Sequence, residues 1–245
     1  MVDMGKKKKV CLWGGILVLL LGSVASVLVA LLKHEPSFYE RAAIPESDQR
    51  RCQSDAFFAK FSQMMINVGV DREGDWHFQF SETELNSFFE EGFVRLGEAD
   101  NFRKLGISQP RIVLEDDQLR LAFRYGSGWF STVVSLELRL WAPKEANLLA
   151  VEVRSRRAGG LPISSLALLK ELSELAKRHN IDVTAYRYNG NPVALVRFQA
   201  GERARPSMML SALKIAPGSL TLSGQTVDLV HPHDLPAGVL TPAGN

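Results

Sequence analysis

The chain is poor in the residues that most protein chemistry uses. It has two cysteines and five histidines in 245 residues. There is no glycine-rich phosphate loop, no Gly-x-Ser-x-Gly elbow, no His-Glu-x-x-His and no Cys-x-x-Cys. A phosphate cradle, an activated serine, a helical zinc pair and a redox dithiol therefore all lack their sequence signatures. The reading is a non-enzymatic protein with no cofactor and no bound metal. Charge of one sign is also scarce. The net charge is +2, and the cluster Lys6 to Lys9 alone exceeds it, which leaves the rest near neutral or slightly acidic. That argues against a general nucleic-acid binder, because displacing counterions from phosphate takes a basic face. The nearest metal-like pattern, His231-Pro232-His233-Asp234, sits in a proline- and glycine-rich tail with nothing to fix a coordination geometry. His77 and His179 are isolated and read as surface or capping residues.

Charge is missing altogether from one long stretch. Val10 to Leu32 carries none, and roughly 23 residues at about 1.5 Å each exceed a hydrocarbon core of about 30 Å. This reads as a membrane anchor. Ser23-Val24-Ala25 is the competing signal-cleavage site, but the apolar run continues past it through Val27, Leu28, Val29, Leu31 and Leu32. With four lysines before the span and only Lys33 directly after it, the N-terminus is expected in the cytoplasm and the rest across the membrane. A bacterial inner membrane is the natural setting; a eukaryotic type II membrane protein shows the same segment. Cys11 and Cys52 then lie on opposite sides and cannot pair within one chain. Cys52 reads as a half-buried thiol near a helix start, with an intermolecular disulfide as the alternative.

The chain divides into a basic N-terminus (1–9), the anchor (10–32), an extended tether interrupted by Pro36 and Pro45 (33–50), one α+β ectodomain (51–227) and a flexible tail (228–245). A helix is expected from Ser54, its cap, to Asn67, with Phe57, Phe58, Phe61, Met64 and Met65 on one face. Trp76 to Phe80 alternates as a strand. Ser81-Glu82-Thr83-Glu84 is a capping box, with Phe80 and Leu85 as its hydrophobic staple, and opens a helix through Phe88 and Phe89 to Gly92 or Leu96. Glu90 and Glu91 read as its solvated face, and residues 97–106 as a turn region.

Beyond that, long β segments take over. Arg111 to Glu115 and Gln118 to Tyr125 flank an Asp116-Asp117 hairpin, and Trp129 to Trp141 is the longest strand, with Phe130, Val134, Leu136, Leu138 and Leu140 on its dry face. Leu148 to Arg154 returns with Leu149, Val151 and Val153 on the same side. An amphipathic helix is expected over Ser164 to His179, striped by Leu166, Leu168, Leu169, Leu172 and Leu175. Asp182 to Tyr188 and Val193 to Gln199 form a hairpin on Asn189-Gly190, and Met208 to Ile215 with Ser219 to Leu222 a last pair of strands. Arg154, Arg156 and Arg157 read as a solvated strand end, with anionic lipid headgroups as the alternative partner. The fold class is α+β: one transmembrane helix, then a curved antiparallel sheet packed on two amphipathic helices.

Phe80-Ser81-Glu82-Thr83-Glu84-Leu85-Asn86 resembles the threonine-glutamate-x-leucine-asparagine helix start of small bacterial, membrane-anchored TULIP-like (tubular lipid-binding) proteins. Pro110 to Glu115, the meander and the Leu161-Pro162 entry into a helix look like the same layout, over about residues 74–199. The resemblance implies a highly curved sheet around a long helix, an apolar cavity for acyl chains and no enzymatic activity. The helix from Ser164 is shorter than a full lipid-tunnel helix.

Two expectations follow. The first is a membrane-tethered envelope protein that binds a lipid or other apolar ligand in a groove between sheet and helix, walled by Phe88, Phe89, Phe123, Leu136, Leu138, Leu166, Leu169 and Leu172. The second is an envelope scaffold with a solid core that recruits a protein partner through an exposed apolar patch or sheet edge.

Overall fold

In a computed structural model of the chain, residues 4–69, 74–143, 148–164, 182–197 and 207–227 are described. Helix α1, Met4–Lys33, takes in the uncharged run. It is long and apolar enough to cross a membrane, and none of its apolar window is buried in the protein.

The segment expected as an extended tether is not one. Proline cannot continue a helix, and the chain breaks at Pro36 only to form a short helix, α2, Ser37–Arg41. Phe38 and Tyr39 are drawn into the domain, Tyr39 completely, because two aromatics left in water would forgo about 1.5–3 kcal/mol each. Helix α3, Asp48–Gly69, starts earlier than the sequence suggested. Its cap is Ser47, whose hydroxyl accepts the Arg50 amide at 3.1 Å, while Ser54 is a fully buried small residue inside the helix. Cys52, expected half-buried, is exposed on α3.

Strand β1, Gly74–Ser81, alternates as its sequence does, with Trp76 and Phe80 buried and His77 and Gln79 exposed. The capping box forms with both bonds. The Glu84 amide donates to the Ser81 hydroxyl at 3.1 Å, and the Ser81 amide donates to the Glu84 carboxylate at 2.8 Å. Helix α4, Glu82–Ser87, runs through a π-turn, Phe88–Gly92, into α5, Phe93–Arg95. In the stretch read as a turn, a further helix forms, α6, Glu98–Lys104.

The remaining strands are β2 Ile107–Glu115, β3 Gln118–Tyr125, β4 Thr132–Trp141, β5 Leu148–Ala158, β6 Leu161–Pro162, β7 Asp182–Tyr188, β8 Asn191–Arg197, β9 Ser207–Ala216 and β10 Ser219–Val227. They form two open antiparallel sheets where the sequence suggested one. The larger has the order β2-β3-β4-β5-β8-β7, with β6 paired to β5; the smaller is β1-β10-β9. The last two strands thus close on β1, the first. A bulge lets the Trp76 ring lie over Gly224, where any Cβ would sit 2.1 Å from it. Ser164 carries no helix, and the rest of the helix expected there, 165–179, lies outside the described residues, as does the tail.

Two strand expectations are corrected. β4 starts at Thr132, because Gly128–Phe130 forms a 3-10 turn that leaves Phe130 outside, not on the dry face. In β5, Leu148, Ala150 and Glu152 are buried while Leu149 and Val151 are only half-buried. Opposite Glu137/Leu138 the β4–β5 register shifts and Arg154 becomes the extra residue; Glu152 and Val153, just before it, are both buried.

The larger sheet is covered on both faces near β2–β4. On one face Phe38 and Tyr39 pack with Ala122, Val133 and Val113. On the other, Ile112, Leu114, Leu119 and Leu121 meet Leu213, Ile215 and Leu220 of the smaller sheet. The smaller sheet uses the same apolar side to hold α3, through Phe78, Phe80 and Leu222 against Phe57 and Met64. Leu85 packs into both clusters.

The outer edge of β2 is closed by side chains of α4. Asn86 donates to the Ile112 carbonyl at 2.8 Å and accepts the Ile112 amide at 2.9 Å, so its amide imitates a neighbouring strand. The Leu114 amide donates to Glu82 at 2.7 Å, and the Leu114 carbonyl accepts the Gly218 amide at 2.9 Å. Replacing Asn86 with Leu strands two buried backbone groups, and we expect a loss of about 2–4 kcal/mol, read as a lowered urea midpoint; Asn86→Asp, which keeps the acceptor, loses less.

The cap also sets an acid limit. Burial pushes the Glu84 carboxyl up, but its bonds to the Lys60 ammonium at 2.6 Å and to Ser81 outweigh this and hold it below its ordinary 4.5. A carboxylate held low in the folded state contributes stability that is complete above about 4.5 and is lost as the pH falls through the folded value. Denaturation midpoints measured down the acid limb are therefore expected to fall less steeply in Glu84→Gln than in the wild type.

Candidate functional site

A half-open cleft of about 360 Å³ lies between the π-turn, α5 and α6 on one side and the first residues of β2 on the other. Its floor is aromatic. Phe89 and Phe93 meet edge to face at 5.9 Å, and Phe93 meets Phe102 at 5.0 Å, the offset arrangements that ring quadrupoles favour. Its opposite wall is Ile107 to Pro110. Pro110 has no amide for the ladder, the β2–β3 register shifts between Ser108 and Arg111, and Gln109 takes φ 50. The strand thus bends away from the sheet where the cleft opens.

Arg103, Arg124 and Glu90 complete the lining, and each is already paired. Arg103 lies 3.3 Å from Asp100, Arg124 2.7 Å from Glu35, and Glu90 3.4 Å from Arg111. Such a cleft favours contact with an apolar group over capture of a charged one. Glu90 and Glu91, expected on a solvated face, are instead half-buried in ion pairs, Glu91 with Arg50, which also donates to the Ile44 carbonyl at 2.9 Å. Their partners are 21 and 41 residues away in the chain, beyond any local spacing rule.

Behind the cleft, Arg111 ties α2 to the sheet. Its guanidinium stacks 4.4 Å over the Tyr39 ring and donates to the Tyr39 carbonyl at 3.0 Å. The Tyr39 hydroxyl donates to the Gln109 carbonyl at 3.0 Å, so the residue in the left-handed conformation at the cleft wall is held from beneath. Burial pushes the Tyr39 phenol above its ordinary 10.0, against the opposing pull of Arg111 and Arg124.

The wall residues expected from the sequence fall in three places. Phe89 lines the cleft and also packs on the Ile112–Leu114 cluster. Phe88 turns the other way, 4.6 Å from Phe57. Phe123, Leu136 and Leu138 share one face of the larger sheet, Leu136 buried and the others half-buried, with Leu121 opposite Leu136 and Val134 opposite Phe123. Leu166, Leu169 and Leu172 lie outside the described residues. Phe93, Phe102 and Pro110 were missed. The Phe89/Phe93 spacing of four was a visible signal, but the meeting of Phe93 with Phe102 depends on how α6 folds back. Among the described residues no group of three or more His, Cys, Asp or Glu is placed to hold a metal.

Comparison with known proteins returns no matching family model, no matching curated protein and no matching solved structure.

The Arg111–Tyr39 pair has a spectroscopic signature. Removing the cation in Arg111→Met is expected to raise the Tyr39 phenol further, and Arg111→Lys to restore little, because a point charge reproduces neither the stack nor the fork. The check is alkaline absorbance titration of phenolate, with Tyr39→Phe identifying this one of four tyrosines. A phenol raised in the folded state contributes stability that is complete below about 10 and is lost as pH rises through the folded value.

Proposed function

We propose that this is a membrane-tethered, non-enzymatic binding module of the cell envelope. In this reading α1 spans the bilayer with its lysines in the cytoplasm, and the ectodomain takes one apolar chain or ring of a lipid into the Phe89–Phe93–Phe102 cleft. The observation that carries the reading is the ion pair between Arg124, on the cleft, and Glu35, at 2.7 Å. Glu35 stands two residues beyond the end of α1, so the cleft is held beside the helix exit, where an apolar ligand leaving the bilayer emerges. Its size limits the ligand. Ligand clefts span about 300–1,000 Å³, and 360 Å³ is room for one chain, not for a whole phospholipid. The resemblance to TULIP-like proteins points to the same ligand class.

The scaffold reading has its own support. β7 is the end strand of the larger sheet as described, and Thr184 to Tyr188 are exposed along it, with Tyr186 and Tyr188 among them. An exposed strand of this kind can add a partner strand.

Native mass spectrometry of the full chain released from nanodiscs separates the two. One bound lipid per chain, or uptake of one added oleate, is expected for the wild type, with loss in Phe93→Asp and Phe102→Asp. Loss in Phe123→Asp alone would move the ligand to the sheet face. A folded wild-type chain that carries no lipid and takes no oleate would sink the binding reading in favour of the β7 edge.

A further inference from the structure

The end of α1 is built into the domain. The last carbonyls of a helix lack intrahelical partners, and here the domain supplies donors to two of them. The Gly160 amide donates to Leu31 at 2.7 Å, and the Thr132 hydroxyl to Leu32 at 2.5 Å. Gly159 sits so close, at φ +59, that a Cβ there would lie 2.2 Å from the Leu31 carbonyl oxygen. The Lys33 ammonium then reaches the 3-10 turn beside β4. It donates to the Ser131 carbonyl at 3.0 Å and to that of Trp129, and lies 5.1 Å from the Trp129 ring centre. That turn points two large apolar side chains outward, Trp129 at 74% and Phe130 at 88% exposure, with Tyr125 half-exposed on the adjoining strand end.

Depth in the bilayer identifies what covers them. If α1 spans the membrane, the uncharged run ends at Leu32 and Lys33 falls at the headgroup boundary, since roughly 23 residues at about 1.5 Å cross a core of about 30 Å with little to spare. Trp129, stacked against Lys33, lies at the same level. That level is where tryptophan and tyrosine rings gather, the ring in the acyl margin and the polar atoms among headgroups, and where a lysine lays its stem on apolar surface and keeps its charge wet. Arg157, two residues before Gly159, is exposed, and anionic headgroups attract cations near such a boundary. Burial in lipid also accounts for Phe130, which strand alternation would have put in the core.

We propose that the Gly128–Phe130 turn is a second, interfacial membrane anchor. Trp129 and Phe130 insert at the headgroup–acyl boundary of the bilayer that α1 spans, and with Lys33 they seat the ectodomain on the membrane in one orientation. The proposal rests on the transmembrane reading of α1, and its test separates the two. The full chain is reconstituted in phospholipid vesicles, and the Trp129 fluorescence is taken as the difference between the wild type and Trp129→Phe. The expected component is blue-shifted, is quenched more by a nitroxide near the headgroup than by one deep in the acyl chain, and is protected from aqueous iodide. A component quenched by iodide and untouched by lipid nitroxides overturns the interfacial anchor. So does one shielded from both, with Phe130→Cys cross-linking to a second chain. Alkaline washing of the same vesicles reports on α1 alone: a chain that stays in the membrane while Trp129 remains in water leaves the span standing and the seat refuted, whereas a chain that washes out refutes the span and the seat together.

Discussion

An edge strand in a covered sheet must find partners for the backbone groups on its outer side, and that constraint organises this domain. The outer edge of β2 is satisfied by Asn86, Glu82 and the amide of Gly218, and an unpaired buried backbone group is costly. Closing the edge in this way draws three sequence-distant pieces together. The β1–α4 junction, strand β2 and the β9–β10 turn meet there, and the two sheets share one apolar seam through Leu85, Ile112, Leu114 and Ile215. The capping box holds α4 at the angle that lets Asn86 reach β2. A local signal for a helix start therefore also serves a tertiary role.

The same economy appears at the other end of the domain. Short polar segments do not tether the α+β domain loosely to α1. Phe38 and Tyr39 bury α2 against the sheet, Arg111 stacks on Tyr39, and the carbonyls that end α1 are received by Gly160 and Thr132. The consequence for function is positional. The cleft is tied to the segment after α1 through Arg124 and Glu35, and the exposed aromatic turn to the last residue of α1 through Lys33.

Much of the local structure was legible because it is written in short-range patterns. The Ser81–Glu84 box, the alternation of Trp76, Phe78 and Phe80, the Asp116-Asp117 hairpin and the Asn189-Gly190 turn each depend on residues within a few positions of one another. Where the reading failed, the deciding partner was distant. Ser54 looked like a cap because serine before an apolar stripe usually is one, but the earlier Ser47 takes that place. The acidic pair Glu90 and Glu91 looked solvated because no partner acid stands near them at a catalytic spacing, while Arg50 and Arg111 reach them from other elements. The cleft was half legible: Phe89 stands out in a helix pattern, but its neighbours on α6 and at Pro110 belong to stretches without a clean period.

By itself, the sequence determined the uncharged helix at the N-terminus, the α+β class, the hairpins and the capped helix after β1, since each follows from hydrophobic period, charge or turn chemistry over a few residues. Only the tertiary structure decided that the last strands pair with the first, that the tether is packed, that α1 is received by Gly159 and Gly160, and that Phe93 and Phe102 share a cleft. Those outcomes depend on which buried surfaces and backbone groups find partners across the chain, and that competition leaves no local trace.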